Sequence, residues 1–338
     1  MDRSATIKDI AQALKVSIST VSRALRGQPD IHPDTKKAVL ALAEEMDYCP
    51  NKAALNLVGR HSQTIGVLLP NLDYFFATAV KGIDEEALKH GYTVMVCQSN
   101  ESYERELINT RRLHESRVDG LIVSVSSETR NTAHLQRLST RGTPIVFFDR
   151  DTADTSAPRV LLNNRHGGFL ATDHLLRQGC RRIAFLGGPP SLSISNQRFD
   201  GYRAALEQHG HHPDPDLIVH GSFSKEQGYL STLELLSKGP APDGIFAVSD
   251  RIAIGAMLAI REKGLTMPHD IALIGFNNEP LTDLLVPSIS SIDQPAFRMG
   301  RAAAELLISR LCGEHATFED VRIEPRLIIR ESSQRQAQ

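Results

Sequence analysis

Residues 6–27, TIKDIAQALKVSISTVSRALRG, decide how the N-terminal part of this chain folds. Thr6, with Asp9 three positions later, is typical of the capping pattern that begins a helix. The apolar side chains recur at the spacing of one helical face, at Ile7, Ile10, Ala11 and Leu14. Lys15-Val16 is a break of only two residues, and Ser17 starts a second helix. Two short helices joined so tightly predict a helix-turn-helix, whose second helix enters the major groove of DNA.

A third helix completes this predicted domain. Gly27-Gln28-Pro29-Asp30 favours a loop, and Pro33 suits the first turn of the helix that follows. The inward-facing residues of the second and third helices are predicted to be Val21, Ala24, Leu25, Val39, Leu42, Ala43 and Met46. Because any small domain of three helices buries a similar stripe, the spacing alone also fits a domain with a purely structural role.

The start of the second helix carries the candidate DNA contacts. Ser17, Ile18, Ser19 and Thr20 would present small side chains and backbone amides to the groove. Arg23, on the exposed face, could reach a guanine edge. Thr6, at the start of the first helix, is a further candidate for a DNA contact. The net charge gives only weak support to DNA binding, because the chain as a whole has a formal net charge of -2.

The pattern changes at Thr64, where short apolar runs begin to alternate with amphipathic helical segments. Apolar strands separated by helices predict parallel sheets covered on both faces. Nine such strands exceed one sheet of usual size, so two similar lobes are expected. The strands are predicted at 64–70, 94–99, 120–126, 144–149, 159–164, 181–188, 216–223, 244–250 and 271–278. The predicted fold class is therefore α/β, with a helical N-terminal domain before a two-lobed core.

Composition excludes several classes of protein. Hydrophobic residues make up 41% of the 338, and no apolar run approaches the length of a membrane-spanning helix. The N-terminus lacks the apolar segment of a signal peptide, so a cytoplasmic location is expected. The four cysteines, Cys49, Cys97, Cys180 and Cys312, lie too far apart for a zinc cluster or a disulfide framework.

Polar and aromatic residues just after the predicted strands indicate a ligand site, because ligands of open parallel sheets bind beyond the carboxyl ends of strands. An Asp–Arg pair, amide side chains and aromatic faces suit a sugar, whose hydroxyls can be bonded and whose ring can stack. The candidates are Phe75, Phe76, Asp149, Arg150, Arg198, Phe223, Asp250, Asn277 and Gln294. Two plainer interpretations stay open: the three phenylalanines as ordinary core, and Asp149–Arg150 as an internal ion pair.

Several of these strings together resemble one protein family. The chain reads T-I-K-D-I-A from Thr6, then V-S-x-S-T-V-S-R-A-L from Val16, then Tyr-x-Pro-Asn at 48–51. The resemblance continues through the strand at 64–70 to Pro325-Arg326-Leu327-Ile328. The chain is thereby identified as a member of the LacI/GalR family of bacterial repressors, over essentially its whole length.

This resemblance implies a domain plan. Residues 1–50 would form the DNA-binding domain, and residues 51–63 a hinge helix and linker. The core would resemble periplasmic sugar-binding proteins, with an N-subdomain over 64–162 and 294–322 and a C-subdomain over 163–293 and 323–338. The family also implies a homodimer, a pseudo-palindromic double-stranded DNA operator and a small effector, expected to be a carbohydrate, between the lobes. No cofactor, metal or membrane is expected.

The hinge of the family supplies two further DNA contacts. By resemblance Asn51 begins the hinge helix and Leu57 is the wedge that enters the minor groove and bends the duplex. A helix this short is marginal in isolation, so two copies would have to stabilise one another over DNA. A plain flexible linker is the alternative.

The resemblance also supports eight of the nine ligand candidates, all except Asp250, because the matching positions hold the ligand in pentose- and hexose-binding relatives. Two other classes remain to be weighed. A sugar-binding transport component has no use for the helical preamble, and an enzyme could use Asp149 and Asp250 as acid and base. The usual nucleotide, zinc and serine-hydrolase motifs are absent from the sequence. The cluster at His209, His211 and His212 is expected to be a solvated loop.

Overall fold

The computed structural model describes residues 5–25, 27–48, 62–150, 156–313 and 320–335. The chain divides into two compact units, Met1–Ser62 and Gln63–Gln338. Each unit has apolar clusters of its own. The expected hinge at 51–63 lies almost entirely outside the described residues, so its helix stays a prediction.

Three helices make up the described part of the first unit: α1 (Ile7–Ala13), α2 (Ile18–Leu25) and α3 (Pro33–Glu45). At the start of α1 the carboxylate of Asp9 accepts hydrogen bonds from the Thr6 backbone N–H at 2.7 Å and from its hydroxyl at 2.6 Å. The cluster that the helices share is built on Ile10, Ala11, Val21, Ala24, Val39 and Ala43. The predicted capping pair and the predicted apolar stripe are both present.

The second unit contains two six-stranded sheets. The first sheet has the order β11-β5-β4-β3-β1-β2 and is parallel throughout its pairings. Its strands are β1 (Thr64–Leu69), β2 (Thr93–Gln98), β3 (Gly120–Val123), β4 (Ile145–Phe148), β5 (Arg159–Leu162) and β11 (Val321–Ile323). We call this sheet and the helices packed on it the N-lobe.

The second sheet has the order β12-β10-β9-β8-β6-β7, and only β12 runs antiparallel, to β10. Its strands are β6 (Ile183–Gly187), β7 (Ile218–His220), β8 (Gly244–Ala247), β9 (Ala272–Asn277), β10 (Ser290–Asp293) and β12 (Arg326–Ile328). We call this sheet and its helices the C-lobe. The predicted α/β class is confirmed, and each of the nine predicted strands is present. The three short strands β10 to β12 were not predicted.

Helices cover both sheets. The N-lobe carries α4 (Tyr74–Lys89), α5 (Tyr103–Glu115), α6 (Ala133–Thr140) and α12 (Ala296–Leu311). The C-lobe carries α7 (Asn164–Arg177), α8 (Ser193–Gln208), α9 (Lys225–Ser237), α10 (Asp250–Glu262) and the short α11 (Leu281–Leu284). The chain passes between the sheets three times, after β5, after β10 and between β11 and β12. Within the described ranges no helix is long and apolar enough to cross a membrane.

Glycines hold the C-lobe helices α7 and α8 in close contact. A Cβ on Gly168 of α7 would overlap the carbonyl oxygen of Arg198 on α8. A Cβ on Gly201 of α8 would overlap the carbonyl oxygen of Arg165 on α7. This close packing fixes the position of α8, and with it the backbone of a candidate ligand-binding arginine.

We expect Gly168→Ala to lower the free energy of unfolding by about 1–3 kcal/mol, because the added methyl group forces the two helices apart. Urea unfolding followed by circular dichroism measures this loss. Glu207→Ala, at an exposed position on α8, is the control and should change stability by less than about 0.5 kcal/mol. Equal stability of Gly168→Ala and the wild type would contradict the close-packing argument.

Candidate functional site

A cleft between the N-lobe and the C-lobe collects most of the predicted ligand residues. It encloses about 510 Å³ of atom-free space, part of it open to solvent, which is in the range of small-molecule sites. Eight of the nine candidates line it: Phe75, Phe76, Asp149, Arg150, Arg198, Phe223, Asn277 and Gln294. They come from loops after strands of both sheets, from α4, from α8 and from the crossing after β10. Residues more than 200 positions apart in sequence are therefore neighbours here.

A chain of buried polar side chains crosses the cleft from one lobe to the other. Asp149 follows β4 in a left-handed backbone conformation, with φ of 62°. Gln294 donates from Nε2 to Asp149 Oδ1 at 2.7 Å. The other end of the same amide accepts a hydrogen bond from the Arg198 guanidinium at 3.3 Å. Gln294 thus links an N-lobe carboxylate to a C-lobe cation.

The side chain of Arg198 is 2% exposed, and several contacts fix its position. Its Nε donates to Asn164 Oδ1 at 2.8 Å, and a terminal nitrogen donates to the Val248 carbonyl at 2.7 Å. The guanidinium carbon lies 3.6 Å from the centroid of the Phe276 ring, a cation–π contact. Burial lowers the pKa of Arg198 to about 10, so the group is still charged at neutral pH.

Arg150 pairs with Glu101 and not with its neighbour in sequence. Its two terminal nitrogens each donate to one Glu101 carboxylate oxygen at 2.8 Å, and one of them also donates to the Val125 carbonyl at 3.1 Å. The interpretation of Asp149–Arg150 as a directly bonded internal pair is therefore wrong. Burial raises the pKa of the Asp149 carboxyl, while Arg150 and Arg198 act against that rise.

The aromatic candidates serve both as core and as lining. Phe75 and Phe76, near the start of α4, are 7% and 5% exposed and meet edge to face, with ring centroids 5.1 Å apart. Phe223 follows β7 and packs at the edge of the same apolar cluster. Since all three also line the cleft, the two interpretations offered for them are compatible.

The structure does not bring Asp250 into the cleft lining, which is a correction to the predicted site. The side chain is fully buried and accepts hydrogen bonds from the Glu279 backbone N–H and the Ser291 hydroxyl, each at 2.7 Å. It turns toward β9, where a Cβ on Gly275 would overlap its carboxylate. Asp250 thus anchors the loop after β9, and the acid–base pair of the enzyme hypothesis is lost.

Six further residues line the cleft and were not among the candidates: Asn71, Asp73, Ile194, Ser249, Arg251 and Glu279. Most of them follow strand ends, the same signal that identified Asp149 and Asn277. Arg251, at the start of α10, lies 3.0 Å from Asp73 of the N-lobe and 3.9 Å from Glu279 of the C-lobe. It forms a second polar connection between the lobes.

Metal ligands are not grouped in the part of the chain that the structure describes: no three His, Cys, Asp or Glu side chains are placed to hold a metal ion. His209, from the predicted histidine loop, lies 2.8 Å from the carboxylate of Asp173.

In the first unit, the start of α2 forms a compact polar surface. The hydroxyl of Ser17 accepts from the backbone N–H of Thr20 at 3.0 Å and lies 2.7 Å from the hydroxyl of Ser19. Ile18 is 46% exposed although it is aliphatic. Arg23 is exposed and forms an ion pair with Asp30. Of the other DNA-contact candidates, Thr6 caps α1, while Asn51 and Leu57 lie outside the described residues.

Known proteins resemble the chain in both units. The family model described as bacterial regulatory proteins, lacI family, matches residues 6–51, and that of a periplasmic binding protein-like domain matches residues 172–333. The ribose operon repressor of Halalkalibacterium halodurans is 32% identical over 97% of each chain. A solved complex of the transcriptional regulator CelR with cellobiose is 29% identical, with a TM-score of 0.75 over 97% of this chain and 99% of that one.

A further solved structure is that of the lac repressor dimer bound to operator and the anti-inducer ONPF. It has a TM-score of 0.86 over 98% of this chain and 99% of that one, at 24% identity. At that identity the likeness concerns the fold.

The burial of Asp250 predicts a dependence of stability on pH. Burial raises the pKa of its carboxyl from 3.8 to about 7, and its two hydrogen bonds offset this only in part. Because the folded state holds the proton more tightly than the unfolded state, the stabilisation is complete below pH 3.8 and is lost as the pH rises through about 7.

We therefore expect the unfolding free energy of the wild type, relative to Asp250→Asn, to fall by on the order of 2 kcal/mol between pH 5 and 8. Urea unfolding of both proteins across this range measures the difference. Gln208→Ala, at an exposed position, removes no ionisable group and provides the control, whose difference from the wild type should not vary with pH. A pH-independent difference for Asp250→Asn would contradict the expected titration.

Proposed function

This chain belongs to the LacI family of bacterial regulatory proteins, and on that premise we propose that it represses genes of carbohydrate metabolism under the control of a small polar effector. It is a sequence-specific DNA-binding regulator and not an enzyme. The DNA-binding unit is the helix-turn-helix of α1 and α2, and the effector site is the cleft between the lobes.

The Asp149–Gln294–Arg198 chain is the observation that carries the effector assignment. It places an acceptor, an amide and a cation across a cleft whose other lining includes Phe75, Phe76 and Phe223. A carbohydrate fits this arrangement because its hydroxyls bond to charged and amide groups while the apolar face of its ring packs on aromatic side chains. The cellobiose complex of the CelR relative supports the same class of ligand.

The cleft can be coupled to DNA binding because the hydrogen-bonded side chains Asp149, Gln294 and Arg198 join the two lobes. An effector that inserts between Asp149 and Arg198 changes how the two lobes close on one another. In a homodimer, closure would move the two hinge segments over 51–58 and so stabilise or melt their helices against DNA. By linkage, whatever the effector does to operator affinity, the operator does to effector affinity.

The DNA-binding surface favours readout of a pseudo-palindromic operator by a homodimer, as in the operator-bound dimer of the lac repressor. Ser17, Ser19 and Thr20 offer hydroxyls at the start of α2, and Ile18 offers an exposed apolar side chain suited to a thymine methyl group. Asn51 and Leu57 would add the hinge contacts in the minor groove. We place the protein in the cytoplasm, where its operator is.

Transport is the second class of function open to a two-lobed sugar-binding core. The helical first unit distinguishes the two, since the lacI-type match over residues 6–51 has no role in carrying a sugar. A gel shift with DNA from the promoter of the protein's own gene tests the assignment. It compares the full chain with a truncated variant that lacks residues 1–63. DNA binding that survives the truncation would contradict it.

For the effector site, we expect Arg198→Ala to abolish the effector-dependent change in operator affinity, because it leaves Gln294 and Asn164 without their buried partner. Monosaccharides and cellobiose are first screened by thermal shift, in which a ligand at 100 times its Kd adds about 2.7 kcal/mol of stability. Calorimetry should then show at least about tenfold weaker binding of the hit. Arg203→Ala, at an exposed position on the same helix, should bind normally. Full affinity in Arg198→Ala would show that the ligand binds elsewhere.

For the DNA surface, we expect Arg23→Ala to cost about 1–3 kcal/mol on the specific operator and to change binding to random DNA little. The reason is that a guanidinium on a base edge reads sequence, whereas a phosphate contact does not. Fluorescence anisotropy with both duplexes at one salt concentration measures the two losses. Lys37→Ala, which removes a positive charge at an exposed position of α3, shows how much affinity for each duplex is lost with a positive charge alone. Equal losses on both duplexes would make Arg23 a phosphate contact.

A further inference from the structure

Three charged side chains form a bridge across the exposed edge of the cleft, and the proposed function does not use them. Arg251 of the C-lobe lies 3.0 Å from Asp73 of the N-lobe, and both side chains are close to half exposed. On its other side Arg251 lies 3.9 Å from the largely buried Glu279. All three residues line the cleft. The bridge therefore contributes two carboxylates and one cation to the ligand space.

The other guanidiniums of the cleft are also engaged. Arg150 forms its two-pronged pair with Glu101. The guanidinium of Arg198 donates hydrogen bonds to Asn164, the Val248 carbonyl and Gln294, and the charge of Asp149 acts on it. Among the residues that the structure describes, each cation lining the cleft thus already has its partners. Nε of Arg150 is buried without a hydrogen-bond partner, but the terminal nitrogens of Arg150 and Arg198 are already bonded, so an anionic ligand would have to compete with these partners.

Carboxylates, in contrast, offer spare acceptor capacity to a ligand. From the residues that the structure describes, the Asp149 carboxylate accepts one hydrogen bond, from Gln294, through Oδ1. With Asp73 and Glu279 it makes three carboxylates in the lining. A neutral ligand with several hydroxyls can donate to these oxygens and to the amides around them. A phosphate ester would instead bring two negative charges to a cluster in which four carboxylates, those of the lining and Glu101, already outnumber the three guanidiniums.

We propose that Asp73 and Glu279, by holding Arg251 between them, select uncharged polyhydroxy effectors and reject phosphorylated ones. This inference rests on the effector function proposed above and defines the chemical class of its ligand. Like charges brought together at a binding site cost enough to weaken binding by at least about tenfold. Removing the two carboxylates frees Arg251, whose guanidinium then becomes a ready partner for phosphate.

The test compares sugars with their own phosphate esters, by calorimetry on the full chain. The probes are D-ribose with D-ribose 5-phosphate and D-glucose with D-glucose 6-phosphate. In the wild type we expect the free sugar of a binding pair to bind at least about tenfold more tightly than its ester. In the double variant Asp73→Asn/Glu279→Gln, we expect this preference to shrink by at least about tenfold, because the ester gains affinity.

Two further variants separate the selection from simple loss of structure. Asp216→Asn/Glu207→Gln removes two carboxylates at exposed C-lobe positions and should leave the preference as in the wild type. Arg251→Gln removes the cation but keeps both carboxylates, so the preference for the free sugar should increase. Thermal melting checks that each variant is folded. Opposite shifts in the two cleft variants cannot come from general destabilisation.

The outcomes distinguish the two proposals. An ester that binds the wild type as tightly as its sugar, or a preference that is the same in the double variant, overturns the selection by charge and leaves the effector function intact. The absence of binding by every probe, sugar and ester, to the wild type and to the double variant overturns the effector function and the selection with it.

Discussion

The bonds that Gln294 makes to Asp149 and Arg198 are the constraint on which the two-lobed core depends. Both charged groups are almost completely buried, and a buried charge without partners is strongly unfavourable. Gln294 satisfies a carboxylate from one lobe and a guanidinium from the other with a single amide. The approach of the two lobes and the burial of these charges therefore require each other, and a ligand that replaces these contacts must act on lobe closure.

The packing around this network serves to hold its members in place. Gly168 and Gly201 allow α7 and α8 to approach closely, which fixes Arg198, and the Phe276 ring supports the guanidinium from one side. Gly275 leaves room for Asp250, whose carboxylate holds the loop after β9 at the edge of the cleft. Packing that lies outside the cleft thus holds the ligand-binding side chains of the C-lobe in place.

Charge divides the cleft into an inner and an outer part. Inside, Asp149, Gln294 and Arg198 meet the ligand and join the lobes. At the exposed edge, Asp73, Arg251 and Glu279 join the lobes a second time, with groups that water can reach. Charges in the dry inner part interact more strongly than those at the wet edge. The inner network therefore sets the affinity for the effector and the closure of the lobes, while the outer bridge selects between charged and uncharged effectors.

The helices and strands could be predicted from neighbouring residues, because helical and strand periodicities are local: the capping of α1, the apolar stripe of the first unit and nine strands all follow from them. Eight residues of the cleft could also be identified from the sequence, since the ends of parallel strands meet at one edge of a sheet. Which charged side chains pair with one another could be established only from the folded chain. Arg150 bonds to Glu101 and not to Asp149, Asp250 turns away from the cleft, and Arg251 reaches Asp73 in the other lobe. These pairings join residues far apart in the chain, and their geometry depends on how two sheets and their helices pack, which no local pattern records.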